Sequence, residues 1–160
     1  MPPQHRYRRP PYELPMVTVT GAWSREEVAT FLEEQTIPVR LGCRRPGGDP
    51  WMLSLWYRYR DGALQCATAA DADVVSYLDH DPSVSFEVST NDPPYRGVRG
   101  NGTATVEPDP EKAVLRALLD RYLGGTDGPF AEKLLSPDRS EVRVSIAPDR
   151  LHSWDYSDRM

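Results

Sequence analysis

Residues 50–68 read PWMLSLWYRYRDGALQCAT, and this stretch decides the fold. From Trp51 to Arg60 the side chains alternate in character. Trp51, Leu53, Leu55, Tyr57 and Tyr59 fall on one face, and Met52, Ser54, Trp56, Arg58 and Arg60 on the other. A period of two is the mark of a β-strand with one face toward a core. Asp61-Gly62 follows, a dipeptide that tolerates the positive φ of a tight hairpin turn, so residues 63–68 are expected to return as the antiparallel partner.

Outward from this hairpin the chain alternates turns with further strands. Residues 36–43 carry Ile37, Val39 and Leu41 at alternate positions, and RRPGGDP at 44–50 is a dense turn signal. Residues 83–89 place Val84, Phe86 and Val88 on one face. Residues 98–106 form a strand interrupted by Gly100 and Gly102, which marks a bulge or a close backbone approach. Residues 141–146 give a last strand with Val142, Val144 and Ile146 inward. Helices lie between. Ser24 and Glu27 have capping-box spacing ahead of Val28, Phe31 and Leu32, and Pro38 limits that helix. Residues 71–80 spell a short helix. Asp109 as cap, Pro110 at the first helical position and Gly124 as stop frame a longer one, with Ala113, Leu115, Leu118, Leu119 and Tyr122 as its buried stripe. Residues 130–135 form one more helical turn. The expected fold is mainly β with peripheral helices: a six-stranded antiparallel split β-barrel of Greek-key type, because closure removes exposed edges.

The 160 residues fit one domain. Residues 1–15 hold five prolines and read as an extended arm, leaving 16–160 as the split-barrel domain. Nineteen Lys+Arg against 24 Asp+Glu give a net charge of -5, which argues against general nucleic-acid binding. No apolar run approaches a membrane span, and no secretory signal opens the chain. With only Cys43 and Cys66, these features lead to the expectation of a cytoplasmic protein with reduced thiols. The charge is unevenly spread. Between Asp61 and Tyr95 there is no Lys or Arg, while Asp61, Asp71, Asp73, Asp79, Asp81, Glu87 and Asp92 are all acidic.

Signatures of self-sufficient catalysis are missing from the sequence. There is no phosphate-binding glycine loop with Lys-Ser/Thr, no His-Glu-x-x-His, no Cys-x-x-Cys and no Gly-x-Ser-x-Gly. His5, His80 and His152 lie in unrelated segments, so no metal site is expected and no catalytic side chain stands out.

What the chain does present is an ordered series: SREEVATFLEEQ, PWMLSLWYRYRDGALQCAT, YLDHDPSVSFEV with its Leu-x-x-Asp-Pro-x-Val, and DPPYRGVRGNGTATVE. In order and spacing, from about Ser24 to Trp154, it resembles the pyridoxamine-5'-phosphate-oxidase-like split-barrel family, whose members bind a flavin or a deazaflavin. The resemblance implies an FMN-binding oxidoreductase that transfers a hydride to or from a small conjugated substrate. It also implies a homodimer with its site at the subunit interface. Residue by residue, Ser54, Leu55 and Trp56 match the strand that lines the flavin ring, with Arg58 on the same face. Thr68 and Ala69 match the strand end beside the ring or the start of the phosphate chain. Arg96 and Arg99 flank the crossing between subunits, and Trp154 matches a C-terminal aromatic near the flavin.

One departure bears on the cofactor. Beyond Thr68 the family usually places a Ser or Thr and then a Lys or Arg to bind the phosphate. Here those positions are Ala72 and Val74, beside Asp71 and Asp73. A phosphate gains from charge-assisted donors and is repelled by carboxylates. Three readings therefore stay open. Arg58, Arg60, Arg96 or Arg99 replaces the missing cation for FMN. Or the coenzyme is a deazaflavin, whose longer anionic tail those arginines hold. Or the domain is a non-enzymatic module with no cofactor, binding another ligand or a partner, with the proline-rich arm as a contact.

Overall fold

The computed structural model describes residues 16–160, so the arm assigned to residues 1–15 lies outside the described residues. The strands are β1 (Thr18–Gly21), β2 (Val39–Arg44), β3 (Pro50–Leu55), β4 (Arg58–Arg60), β5 (Ala63–Ala69), β6 (Ser83–Ser89), β7 (Arg96–Pro108) and β8 (Glu141–Asp155). The helices are α1 (Arg25–Glu34), α2 (Asp73–His80), α3 (Ala113–Leu123) and α4 (Pro129–Leu134).

The strands hydrogen-bond in the order β3-β2-β6-β7-β8-β5-β4, and β1 runs parallel beside the far half of β8. All other pairings are antiparallel. The two ends of this path, β3 and β4, are neighbours in sequence, separated only by Trp56 and Tyr57. Three residue steps reach about 10 Å, so the sheet must curl until its edges nearly meet. β3 and β4 do not pair with each other among the described residues, and the barrel is split at that seam.

The seam corrects the expectation of one continuous strand over 51–60. Tyr57 turns inward until it is fully buried, its hydroxyl donating to Leu32 O at 2.8 Å. Its own N–H donates to the Tyr122 hydroxyl at 3.2 Å, outside any ladder. The large buried ring and this off-ladder bond break the strand's pairing at Trp56 and Tyr57, while the alternation of faces continues across the break, with Leu53, Leu55, Tyr57 and Tyr59 against the core.

Further expectations change. Eight strands lie among the described residues, where six were expected. β8 runs to Asp155 and not to residue 146, because β7 pairs along its whole length and β1 covers residues 150–153. β1 was not expected; it is short and carries no long apolar alternation. α3 begins at Ala113 and not at Pro110, because Lys112 adopts a left-handed conformation (φ 55°) that interrupts the helix there. The N-cap is therefore Lys112 and not Asp109, although Asp109 Oδ2 still accepts from Val114 N at 3.0 Å. The buried stripe of α3 is Val114, Leu115, Leu118 and Leu119, while Ala113 is exposed and Tyr122 half-buried.

Other elements form as their residues dictate. Ser24 Oγ accepts from Glu27 N and Glu27 Oε1 accepts from Ser24 N, both at 3.2 Å, closing the capping box of α1. The glycine-interrupted strand does carry a bulge, between Asn101 and Gly102. A Cβ on Gly100 would fall 2.1 Å from Arg150 O, and one on Gly102 2.1 Å from Ala147 O. Inside the barrel, Val39, Leu41, Leu64, Cys66, Val88, Val98, Val144 and Ile146 are wholly buried. α1 and α2 add Val28, Leu32, Val74 and Leu78 to this core. A smaller apolar cluster of Leu115, Leu119 and Ala131 joins α3 and α4, with Trp56 and Ala67 packed against it.

Candidate functional site

The seam that splits the barrel also opens a groove. The end of β3 supplies Ser54 and Leu55, and Trp56 follows at the junction. β5 supplies Ala67 and Thr68 across the floor, and Leu115, Leu118, Phe130 and Leu134 of α3 and α4 form an apolar side. Arg139 and Glu141 close the end where the chain enters β8. The cavity volume is ≈ 240 Å³.

Trp56 is the aromatic wall. One of its faces stacks on Tyr122, with centroids 5.0 Å apart and planes 6° from parallel, and Phe130 meets it edge-on at 6.3 Å. Phe130 itself is 55% exposed, an apolar ring at the rim. Tyr122 is fixed in turn: its hydroxyl donates to Ile37 O or Tyr57 O, each at 3.2 Å, and accepts from Tyr57 N. Burial raises the Tyr122 phenol above its ordinary value, so it acts as a neutral donor and acceptor. Arg121 completes the support by donating to the carbonyls of Leu32, Glu33 and Gln35 at the end of α1, with its guanidinium 5.3 Å from the Tyr57 ring centroid.

At the other end, Glu141 is a buried acid whose side chain is 1% exposed. Its Oε1 accepts from Arg139 Nε at 2.5 Å, while Oε2 has no hydrogen-bond partner among the described residues.

Of the residues singled out by sequence, Ser54, Leu55, Trp56 and Thr68 meet at this groove. The other five do not line it. Arg58 lies on β4 and donates from Nε to Gln65 Oε1 at 2.7 Å. Its guanidinium pKa is lowered, by burial first and by Arg60 second. Ala69 ends β5, in register with Glu141. Arg96 lies over Phe31 at 5.8 Å, beside Trp23 and Asp155. Arg99 covers the Trp154 ring at 5.2 Å and faces a broader depression of ≈ 380 Å³ shared with Arg40, Glu87, Arg150 and His152. That depression is larger, and its charged lining runs from half-buried (Arg40, Glu87) to exposed (Arg99, Arg150). Among the described residues, the smaller groove is the one that combines an aromatic wall with a buried, half-satisfied carboxylate.

Sequence reading missed Phe130, Leu134, Arg139 and Glu141. The signal for the last two, a charged pair at the entry to a buried strand, has meaning only once β5 and β8 are known to pair. Val74, where a phosphate-binding cation would stand, is a core residue at 5% exposure, so a charged side chain there would be buried. The α2 N-cap, Ala72, offers no side-chain hydrogen bond. Among the described residues, no group of three or more His, Cys, Asp or Glu side chains is arranged to hold a metal ion, and no helix is long and apolar enough to cross a membrane.

Comparison with known proteins agrees with this architecture. No curated protein matches. Among solved structures, a conserved hypothetical protein of Mycobacterium tuberculosis, Rv2991, superposes with a TM-score of 0.71 at 28% identity, covering 84% of this chain and 86% of its own. An F420 reductase gives a TM-score of 0.64 at 26% identity, covering 76% and 93%. An FAD-binding protein of Mesorhizobium loti shares the fold, with a TM-score of 0.60 at 20% identity, covering 82% and 93%. The family model described as pyridoxamine 5'-phosphate oxidase matches residues 24–159. With that match spanning most of the chain, the protein belongs to the pyridoxamine 5'-phosphate oxidase family.

Proposed function

We propose that this protein is an oxidoreductase that holds the ring of a flavin-type coenzyme in the groove between Trp56 and Glu141. The observation that carries the reading is the convergence of Ser54, Trp56 and Thr68 on one groove that has an apolar side and an acceptor end. A planar heterocycle with a polar edge fits that distribution of surface. When bound, such a ring supplies the hydride chemistry, and the protein supplies binding, orientation and exclusion of water.

The chain's own residues divide those tasks. Trp56, held flat by Tyr122, offers a rigid aromatic edge. Ser54 and Thr68 bring hydroxyls that both donate and accept. Leu115, Leu118, Phe130 and Leu134 keep water from one side. The ring fits these residues; a phosphate at the start of α2 does not, since Val74 is core and Asp71 and Asp73 flank the turn. Arg139, on the groove and 38% exposed, is already paired with the Glu141 carboxylate and is not free for an anionic tail. Arg96 and Arg99 lie off the groove of their own chain, so their part in binding requires a homodimer in which a second copy presents them.

Two coenzymes satisfy this reading. FMN is the first. A deazaflavin is favoured by the likeness to an F420 reductase at 26% identity, and its longer tail is less dependent on the missing phosphate site. The test is equilibrium titration of the purified protein with FMN and with the deazaflavin coenzyme, followed by visible absorbance. Saturable binding of either one, with a shifted ring spectrum, is the expected result, and the tighter ligand identifies the coenzyme. Failure of both to bind at millimolar concentration contradicts the enzyme reading and leaves a non-enzymatic module.

A further inference from the structure

We infer that Glu141 reads the ligand in the groove, accepting at Oε2 a hydrogen bond from an N–H on the edge of a planar ring. The inference rests on the coenzyme reading above and specifies which edge of the ring faces the β8 end. Glu141 is almost wholly buried, yet only one of its two carboxylate oxygens has a donor. A buried acceptor without a partner is costly, and such an atom calls for an explanation. A donor that arrives with the ligand provides one, because Glu141 lines the groove.

The backbone that carries the carboxylate is held in place before any ligand arrives, and Arg139 Nε holds its Oε1. Glu141 is in register with Ala69, and Asp109 N donates to Glu141 O at 3.1 Å. Ala70 N donates to Ser140 O at 2.9 Å. Arg139 is fixed from behind: its N–H donates to Ser136 O at 3.0 Å, and the buried Lys112 Nζ donates to that same carbonyl at 2.6 Å. A group positioned by this many backbone contacts is suited to selecting a ligand by geometry.

The chemistry of the pair limits the ligand. An ionised carboxylate only accepts, so Oε2 rejects a phosphate or carboxylate and selects a donor. The Arg139 guanidinium beside it donates, which suits a carbonyl next to that N–H. Flavin and deazaflavin rings share such an edge, an imide N–H between two carbonyls. The geometry therefore points to the imide edge at Glu141 and the opposite end of the ring toward Trp56.

The test uses lumiflavin, which is the ring without a phosphate tail, and its N3-methyl derivative, which lacks the imide N–H. Binding to the full chain is followed by quenching of ligand fluorescence, with no turnover involved. The wild-type protein is expected to prefer lumiflavin by at least about tenfold, the scale of one charge-assisted hydrogen bond. Glu141→Leu is expected to bring that ratio to within about twofold, which separates the lost hydrogen bond from simple crowding by the methyl group. Wild-type protein that binds both rings equally overturns the inference, whatever the variant does. Retention of the preference in folded Glu141→Leu also overturns it. Should that variant fail to fold, Glu141→Gln, which keeps shape but loses charge, is expected to reduce the ratio severalfold, and an unchanged ratio counts against Glu141. No binding of lumiflavin at all is a different result: it defeats the coenzyme reading itself.

Discussion

Trp56 lies flat against Tyr122, with planes 6° from parallel and centroids 5.0 Å apart. The Tyr122 hydroxyl in turn accepts from the backbone N–H of Tyr57, the residue after Trp56. A single residue of α3 therefore sets both the ring that walls the groove and the backbone of the junction where the barrel splits.

Tyr122→Phe keeps the stack but removes the hydroxyl, leaving Tyr57 N without its partner. The expected loss is about 1–3 kcal/mol of stability, the cost of a buried polar group left unpaired. Urea unfolding followed by circular dichroism measures it. A loss below about 0.5 kcal/mol, the low end for a single hydrogen bond, would show that the hydroxyl does not hold the junction.

Arg121 ends α1 by donating to three of its terminal carbonyls while covering the Tyr57 ring. Arg121→Met should cost about 2–3 kcal/mol, since hydrogen bonds from a charged group are worth more than neutral ones. Arg121→Lys should recover less than half, because a point charge cannot match the planar fork. Full recovery by lysine in the same unfolding assay would rule out the fork geometry.

Burial pushes the Cys66 thiol from an ordinary 9.0 up to about 12, and burial also raises Cys43. Tyr57 is raised as well, by burial first and by Tyr122 next. In each case the folded state favours the neutral form, so the unfolded chain loses its proton first as the pH rises. Stability is therefore full below about pH 9 and declines between about pH 9 and 12. Unfolding midpoints in urea from about pH 7 to 11 should be flat and then fall. Both thiols should resist a thiol reagent in the native protein at about pH 8 and react once it is unfolded. Rapid labelling of native Cys66 would contradict its burial.

Gly100 lies where β7 and β8 approach closely. Gly100→Ala should destabilise by about 1–3 kcal/mol or more, because backbone on the facing strand has to move. Gly47, with nothing within 4 Å of where an added methyl group would sit, should accept alanine with little change. Equal thermal midpoints for the two variants would argue against the close approach.

The parts of the fold visible in the sequence were those written in local chemistry. The capping box at Ser24 and Glu27, the turn at Asp61-Gly62 and the bulge near Gly102 each follow from a few adjacent residues. The break at Trp56-Tyr57 was hidden, because both rings fit a strand pattern and only burial against Leu32 and Tyr122 separates them. β8 looked shorter because residues 147–155 alternate with polar and charged side chains, and their strand is stabilised by β7 and β1 on either side. In the groove, Ser54, Trp56 and Thr68 were legible through a family pattern. Arg139 and Glu141 were not, since a lone ion pair acquires meaning only from the cavity it closes.

The most direct test of the central claim is a crystal structure of the protein grown with saturating FMN or deazaflavin coenzyme. The account predicts density for the ring in the groove bounded by Trp56, Thr68 and Glu141, with its imide edge at the Glu141 carboxylate. Clear ring density elsewhere on the molecule, with this groove holding only solvent, would contradict it.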